Sequence, residues 1–572
     1  MKMLYMIKDI LNKRTTILLI ISFIMLIANA LLAPVILILS KKLIDYIAIP
    51  PAKKEMVVCI IIGYIIFQLL NEMLENIKNY IDSDIRYDME NIVNCKINTK
   101  IKKLQLKYFE MPQMYDVIER ISTTVVQGII NSFDTIMGVL EPLLLLISYS
   151  ITLFFIKWYF PVILLIMNIP YLVFLKKRNS LNYEQYKKLS REKRYANYWK
   201  NAILDKEFIK DIRVCEAYTY ISNKWKKLIL KIYNKEKKLI LKIGKINTVI
   251  QIIRSFSLGI CLIVTAVMVL KKEILIGSFV LVYEAVNSLN TNFTIVANQY
   301  GSIHELGMFL KDWELFNSFD EENPGNLGEI EFSDIRFKNV FYRYPNSKDY
   351  ALKDINVEIK YGEKIGIVGK NGSGKSTFIN LLLGLYYPEQ GEITVDGHDI
   401  KNVLKAYRQK LMCMFQDFLK LPMKLEENLY VGRKRKIDDT TEYLQKRLGL
   451  KMNDILGNLD DKGRELSGGE WQSVALVRAL LYKKELNIFD EPTSNLDSTT
   501  ESKYLQFIKD KTENDTVIIV THKLSLLQLC DRILVFKEGK IIQDGNYEEI
   551  SKTSSEFKEL LESQSSFFRS QM

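Results

Sequence analysis

Paired cysteines are missing from this chain. The six that occur, Cys59, Cys95, Cys215, Cys261, Cys413 and Cys530, show no paired spacing, so no disulfide framework is implied. Charge is missing from the first long apolar run, Thr15 to Ser40. At 26 residues this run is too long for the core of a cleavable signal. It is long enough to cross about 30 Å of hydrocarbon as a helix, so it is expected to remain as a span and argues against a soluble protein.

Basic residues, by contrast, are in excess, and the excess is local. The chain carries a formal charge of +12, whereas Lys176 to Lys245 alone holds 21 Lys/Arg against seven Asp/Glu, a net of +14. Lys alternating with Leu, Ile and Tyr describes solvated helix faces beside a membrane, with the positive-inside bias and an anionic substrate or lipid surface as reasons. Nucleic-acid binding is the weaker reading of such a run, and no nucleic-acid partner is expected.

A mean hydropathy of 0.00 conceals an apolar first half and a mixed α/β second half. Trp158 to Leu175 also qualifies as a span on hydropathy alone. Met56 to Asn71 is short, and Glu141, Arg254 and Glu284 interrupt or border the apolar runs near 135–156, 248–270 and 274–300. Lys8, Lys13 and Arg14 place the N-terminus inside, which leaves Lys41, Lys42, Lys53 and Lys54 in an outer loop, against the usual bias. Arg254 and Glu141 are a candidate buried pair, and Glu284, Asn287, Asn290, Asn292 and Asn298 are candidates to face an interior cavity or to bond helix to helix. Asp320 to Asn326 is polar, contains Pro and Gly, and reads as a hinge.

In the second half, Glu363 to Val368 reads as a short buried strand that runs into Gly369-Lys370-Asn371-Gly372-Ser373-Gly374-Lys375-Ser376, a fit to G-x-x-x-x-G-K-[ST]. Such glycines let the backbone curl, so that successive N–H groups point at phosphate oxygens at the start of a helix. Lys375 should reach the β/γ-phosphates, Ser376 should ligate Mg²⁺, and Thr377 joins the cofactor-binding set. Leu486 to Phe489 is an apolar run that ends in Asp490-Glu491. Asp490 suits Mg²⁺, and Glu491 suits the base that orients and partly deprotonates the attacking water. Asn487, inside that run, needs partners for its amide if buried.

The P-loop, the Asp490-Glu491 pair and Leu466-Ser467-Gly468-Gly469-Glu470-Trp471-Gln472 together resemble the ATP-binding cassette (ABC) transporters, in the form of a half-transporter with fused membrane and nucleotide-binding parts. The resemblance implies a membrane α-helical domain of six transmembrane helices, exporter type, fused to an α/β P-loop NTPase cassette. It implies adenine stacking by Tyr344, Mg²⁺ or water contact by Gln416, a D-loop at Ser494 to Asp497 and γ-phosphate contact by His522. In this family two cassettes pair head to tail, so Ser467, Gly468, Gly469 and Glu470 would meet the nucleotide held by a second copy of the chain. The cofactors implied are ATP and Mg²⁺.

On that basis the membrane domain is expected over 1–318, with spans near 15–40, 56–78, 134–156, 158–176, 247–270 and 274–300. A linker is expected over 319–330 and the nucleotide-binding domain over 331–572. Four of the cysteines then fall in cytosolic segments, no cytosolic peptidase domain is expected ahead of the first span, and the basic segment is a helical extension between spans four and five. Coupling helices are expected near Tyr108 to Glu119 and near Ala202 to Arg213, with Gln416 in the cassette segment that receives them. Phe415-Gln416-Asp417-Phe418 and Gly468-Gly469-Glu470-Trp471-Gln472 are similar to bacterial exporters of lantibiotics, microcins and related peptides. Export of a small peptide by a homodimer, across a bacterial cytoplasmic membrane with the cassette in the cytosol, is therefore the favoured reading. Multidrug or lipid export, or an importer on the same fold, are the alternatives.

Overall fold

The structure is a computed structural model that describes residues 12–48, 54–122, 126–205, 208–325, 328–345, 347–433, 438–458, 461–554 and 556–557. Lys8, Lys53 and Asn326 lie outside the described residues. By contact density the chain divides into two compact units, residues 1–101 with 117–318, and residues 102–116 with 319–572.

The first unit is helical. Its elements are α1 (Lys13–Ala48), α2 (Lys54–Lys103), α5 (Val126–Ile156), α6 (Tyr159–Leu204), α7 (Phe208–Val214), α8 (Tyr218–Leu270) and α9 (Gly277–Asn317), while α3 (Lys107–Glu110) belongs to the second unit and α4 (Pro112–Arg120) is divided between the two. Each of the six expected spans falls within one long helix, apart from a few residues at the starts of the fourth and sixth. Among the described residues four helices, α1, α2, α5 and α8, are long and apolar enough to cross a membrane, and Tyr159–Tyr171 is a shorter apolar stretch. Hydropathy of the bare sequence singled out 15–40 and 158–175. α2 runs well beyond the short stretch Met56 to Asn71, and Glu141 in α5 and Arg254 in α8 still leave each helix an apolar window of membrane length. Pro34, Pro142 and Pro170 sit inside helices, which membrane helices tolerate because neighbours can satisfy the freed carbonyls.

α9 packs along α5 and α1, and α6 packs along α8. Arg254 and Glu141 do not pair, since α8 and α5 take different principal neighbours. Glu141 instead accepts from Lys78 at 2.7 Å and from Asn29 at 3.4 Å. Arg254 donates to Asn168 Oδ1 through Nε and Nη2 and to Thr294 Oγ1, and lies 4.1 Å over the Tyr171 ring. Asn290 accepts from Asn168 at 3.2 Å and Asn292 donates to the Ser288 carbonyl, so these two polar side chains bond helix to helix or back along their own helix. The basic stretch forms the C-terminal half of α6, α7 and the N-terminal half of α8. There Glu192 bridges Lys231 and Lys235 at 2.8 and 3.1 Å, over a small core of Leu189, Ala196 and Ile232.

The second unit holds two sheets. An antiparallel sheet has the order β2-β1-β4-β5, from β1 (Asp334–Tyr342), β2 (Leu352–Lys360), β4 (Gln390–Val395) and β5 (His398–Asp399). A second sheet has the order β10-β9-β3-β8-β7-β6. Its strands are β3 (Lys364–Val368), β6 (Leu411–Met414), β7 (Leu486–Asp490), β8 (Thr516–Val520), β9 (Arg532–Lys537) and β10 (Lys540–Gly545), parallel except for the β9–β10 hairpin. β7 and β8 are buried at every position, as a parallel strand covered on both faces must be. That is why they read as unbroken apolar runs. Asn487 is accommodated because its amide closes a local turn, accepting from Lys484 N at 3.0 Å and donating to Lys484 O at 2.5 Å. The expected P-loop strand is β3, and α10 (Lys375–Leu382) follows it.

Candidate functional site

The parallel strands β3, β7 and β8 all end at one edge of the sheet, where open α/β sheets place their ligands. After β3 the chain turns through Gly369, Gly372 and Gly374 at φ 153°, 78° and 105° before α10 begins. At Gly369 a Cβ would stand 2.4 Å from the Phe536 carbonyl oxygen, so the close approach requires glycine as much as the dihedral does. Lys375 is buried and folds back onto its own loop, donating to Gly369 O at 2.7 Å and Lys370 O at 3.1 Å. Burial lowers its pKa, with Glu491 and Asp490 opposing. Ser373 is also buried, and its hydroxyl has no hydrogen-bond partner.

β7 delivers Asp490 and Glu491 to the same place. Asp490 is 7% exposed, and its carboxyl is pushed up to about 6 by burial and then by the neighbouring Glu491 charge, against the pull of Lys375. Glu491 adopts φ 46°, in the left-handed region that costs a non-glycine residue energy, and its N–H is fixed to Val520 O at 2.9 Å. Gln416 Nε2 donates to Glu491 Oε2 at 3.3 Å, and His522 Nε2 lies 3.5 Å from Glu491 Oε1. Burial lowers the His522 pKa, Lys375 lowers it further, and Glu491 opposes both.

Tyr344, Lys370, Asn371, Gly372, Gly374, Lys375, Ser376, Thr377, Gln416, Asp490, Glu491 and His522 line one cavity of about 860 Å³. Tyr344 is anchored there through its hydroxyl, 3.1 Å from Thr377 Oγ1, and through edge contacts with Tyr342 and Tyr386. The donor set fits a nucleotide with a divalent cation. Curled backbone amides and a lysine suit phosphate oxygens, and two crowded carboxylates would gain from a nearby positive ion.

Ser467, Gly468, Gly469 and Glu470 are not among the residues lining that cavity. They open α14 (Gly468–Leu481) with a capping box. Ser467 Oγ accepts from Glu470 N, and the Glu470 carboxylate accepts from Ser467 N at 2.7 Å.

Three further residues support the site through their hydrogen bonds. Gln472, on α14, donates to Glu491 O at 2.9 Å and accepts from Asn495 N at 2.8 Å. Lys523 donates to Thr493 O and to Glu501, each at 2.7 Å. Tyr386 donates to Glu110 of α3 in a short hydrogen bond, while Tyr108 stacks on Phe319 at 4.5 Å and donates to Asp320 at 2.8 Å. The Tyr108 to Glu119 segment, expected as a coupling helix, thus meets the cassette at Tyr386 through Glu110. α3 lies against Phe319, Asp320 and Tyr386, because the hinge residues return beside the end of α2 through the Leu104–Glu321 bridge. Position in a family motif marked Gln472, but nothing local marked Tyr386 or Lys523.

A Gly-rich phosphate loop, two acids at the end of an adjacent parallel strand and a helical unit with membrane-length apolar helices define a nucleotide hydrolase tied to a membrane. Residues 352–494 match the family model described as ABC transporter. The chain is 27% identical to the subtilin transport ATP-binding protein of Bacillus subtilis over 94% of its length and 90% of that protein. It is 28% identical to the nisin transport ATP-binding protein of Lactococcus lactis subsp. lactis, covering 88% of this chain and 86% of that one. A solved bacterial Atm1-family ABC exporter with ATP bound matches at a TM-score of 0.78 and 20% identity over 96% of this chain and 98% of that chain, which shows the fold. Residues 352–494 are thus an ABC transporter domain, the chain as a whole is similar to exporter-type halves with membrane and nucleotide-binding parts fused, and it is an ATP hydrolase coupled to transport.

Proposed function

We propose that two copies of this chain use Mg²⁺-ATP to export a small peptide across a bacterial cytoplasmic membrane, with 1–318 as the membrane domain, 319–330 as a linker and 331–572 as the cytosolic nucleotide-binding domain. The observation that carries the ATPase part is the single cavity in which Lys375, Ser376, Asp490, Glu491, Gln416 and His522 converge. Similarity along most of the chain to proteins named for subtilin and nisin transport supports the peptide part.

In this reading the P-loop amides and Lys375 hold the phosphates, and Tyr344 stacks on the adenine. Ser376, Gln416 and Asp490 hold Mg²⁺, which when bound neutralises charge that develops on the phosphate oxygens. Glu491 orients the attacking water and accepts its proton at a carboxylate oxygen, while Gln416 and His522, both beside that carboxylate, fix its direction. Ser467, Gly468, Gly469 and Glu470 complete the site of the other copy, in keeping with a well-formed capped helix start that lies outside the cavity of its own chain. Nucleotide is then shared between subunits, and its hydrolysis shifts the dimer from closed to open. The cleft of about 650 Å³ lined by Met412 to Lys420, Gly468, Arg478 and Asn495 would receive α7 of the second copy.

The test is ATPase activity of the purified chain in lipid vesicles, with and without small peptides from its host. Stimulation by one peptide at low concentration supports the reading. Basal activity indifferent to every peptide points to drug or lipid export, and no activity without a second, different chain rules out the homodimer.

A further inference from the structure

Lys41 and Lys42 stand against the positive-inside bias, since the proposed topology puts the end of α1 at the outer face. The structure gives them a setting. They close one end of an elongated cleft of about 810 Å³ between α1, α5 and the start of α9, whose walls are otherwise largely aliphatic and aromatic. On α1 the lining runs from Ile27 to Lys41 at helical spacing, a depth of about 21 Å at 1.5 Å per residue. That exceeds the roughly 15 Å that one leaflet contributes to the hydrocarbon core. The walls are open, with Leu31 66%, Ile151 52% and Phe155 84% exposed.

Charge at the mouth is uncompensated. Asp45 is the acid beside the lysines, but it is 93% buried and its Oδ1 accepts from Gly277 N at 2.7 Å, which caps the start of α9. Gly277 permits this contact, because a Cβ there would stand 2.2 Å from Lys41 O. Among the described residues neither lysine has a carboxylate within ion-pair distance. The result is a leaflet-deep apolar cleft headed by two free ammonium groups, since Asp45 already offsets the positive start of α9.

We propose that this cleft holds an anionic phospholipid of the outer leaflet, with its phosphate between Lys41 and Lys42 and one acyl chain along α1 and α5. The assignment rests on the membrane placement in the proposed function. A second copy of the chain fits less well, because the same face of its own α1 brings two more lysines to the same mouth.

The test uses the full chain in detergent and counts retained lipid by native mass spectrometry, with phosphatidylglycerol and phosphatidylcholine of identical acyl chains. The intact protein is expected to keep phosphatidylglycerol more tightly. K41Q/K42Q should weaken it by about 30-fold, down to the phosphatidylcholine level. Leu31→Trp, which fills the cleft, should weaken both lipids. A photoactivatable phosphatidylglycerol should mark peptides from 27–42 and 144–156, whereas marking confined to the basic stretch 176–245 would overturn the proposal. Equal retention of the two lipids by the intact protein, or no effect of K41Q/K42Q, would overturn it too. So would displacement of the lipid by a peptide that stimulates ATPase activity, or efficient disulfide-linked dimers through Leu31→Cys. ATPase activity is read on the same preparations, so an inactive wild-type chain would count against the transporter reading while the lipid count still stands.

Discussion

Asp490 and Glu491 are neighbours in sequence with different surroundings, and the difference sets what each can do. The buried Asp490 carboxyl titrates near 6, above its unfolded value of about 4, so the ionised form costs stability above about pH 6 and the cost fades as pH falls towards 4. Asp490→Asn is therefore expected to melt higher than the parent in the absence of nucleotide and Mg²⁺ at about pH 7.5, by a few degrees, with the gap closing by about pH 4.5. A gap that does not change with pH would remove the charge explanation. Glu491→Gln keeps every phosphate contact and removes the proton acceptor. It should leave ATP binding within about twofold and slow hydrolysis by about 100-fold or more, trapping a closed dimer. Near-parental turnover would show that another group is the base. Tyr344→Ala should weaken ATP binding in equilibrium titrations, and unchanged affinity would dismiss the stacking role.

At the scale of elements, α14 links the Ser467 to Glu470 segment to Glu491, the proposed base. Gln472 ties the Glu491 carbonyl to the backbone of Asn495, and Gly469 approaches so closely that a Cβ would stand 2.5 Å from Asn495 O. Gln472→Ala should lower kcat by about 10-fold while nucleotide affinity holds, because it loosens the base and touches no phosphate. A change confined to KM would contradict this. The same elements show how far the sequence was legible. The P-loop strand and helix, the strand ending in Asp490-Glu491 and the capped start at Ser467 depend on residues a few positions apart, so local pattern revealed them. Gln472, Lys523 and Tyr386 act through partners 19 to 276 positions away, which only topology supplies. Arg254 and Glu141 were mispaired for the same reason: hydropathy shows that a buried charge needs a partner, but not which helix brings it.

On the scale of the whole molecule, α3 occupies an informative place. It follows α2 after a few residues, and its Glu110 bonds Tyr386, whose ring meets Tyr344 in the nucleotide cavity. Tyr386→Phe should keep basal ATPase activity within about twofold and blunt its stimulation by substrate, measured on one vesicle preparation. Full stimulation in that variant would mean that the signal travels elsewhere.

The left-handed backbone of Glu491 has a genetic corollary. Glycine accepts that conformation without strain, and aspartate tolerates it better than most residues. Both lie one base change from a glutamate codon. Removal of the proposed base by glycine, or its shortening by aspartate, is therefore among the changes this fold absorbs most easily. A chain so altered would still mature, reach the membrane and pair with functional copies. Expressed beside the parent chain, such a variant should act dominantly in the proposed homodimer, with one silent subunit spoiling each mixed pair, where most inactivating mutations of a marginally stable protein are lost through misfolding and clearance.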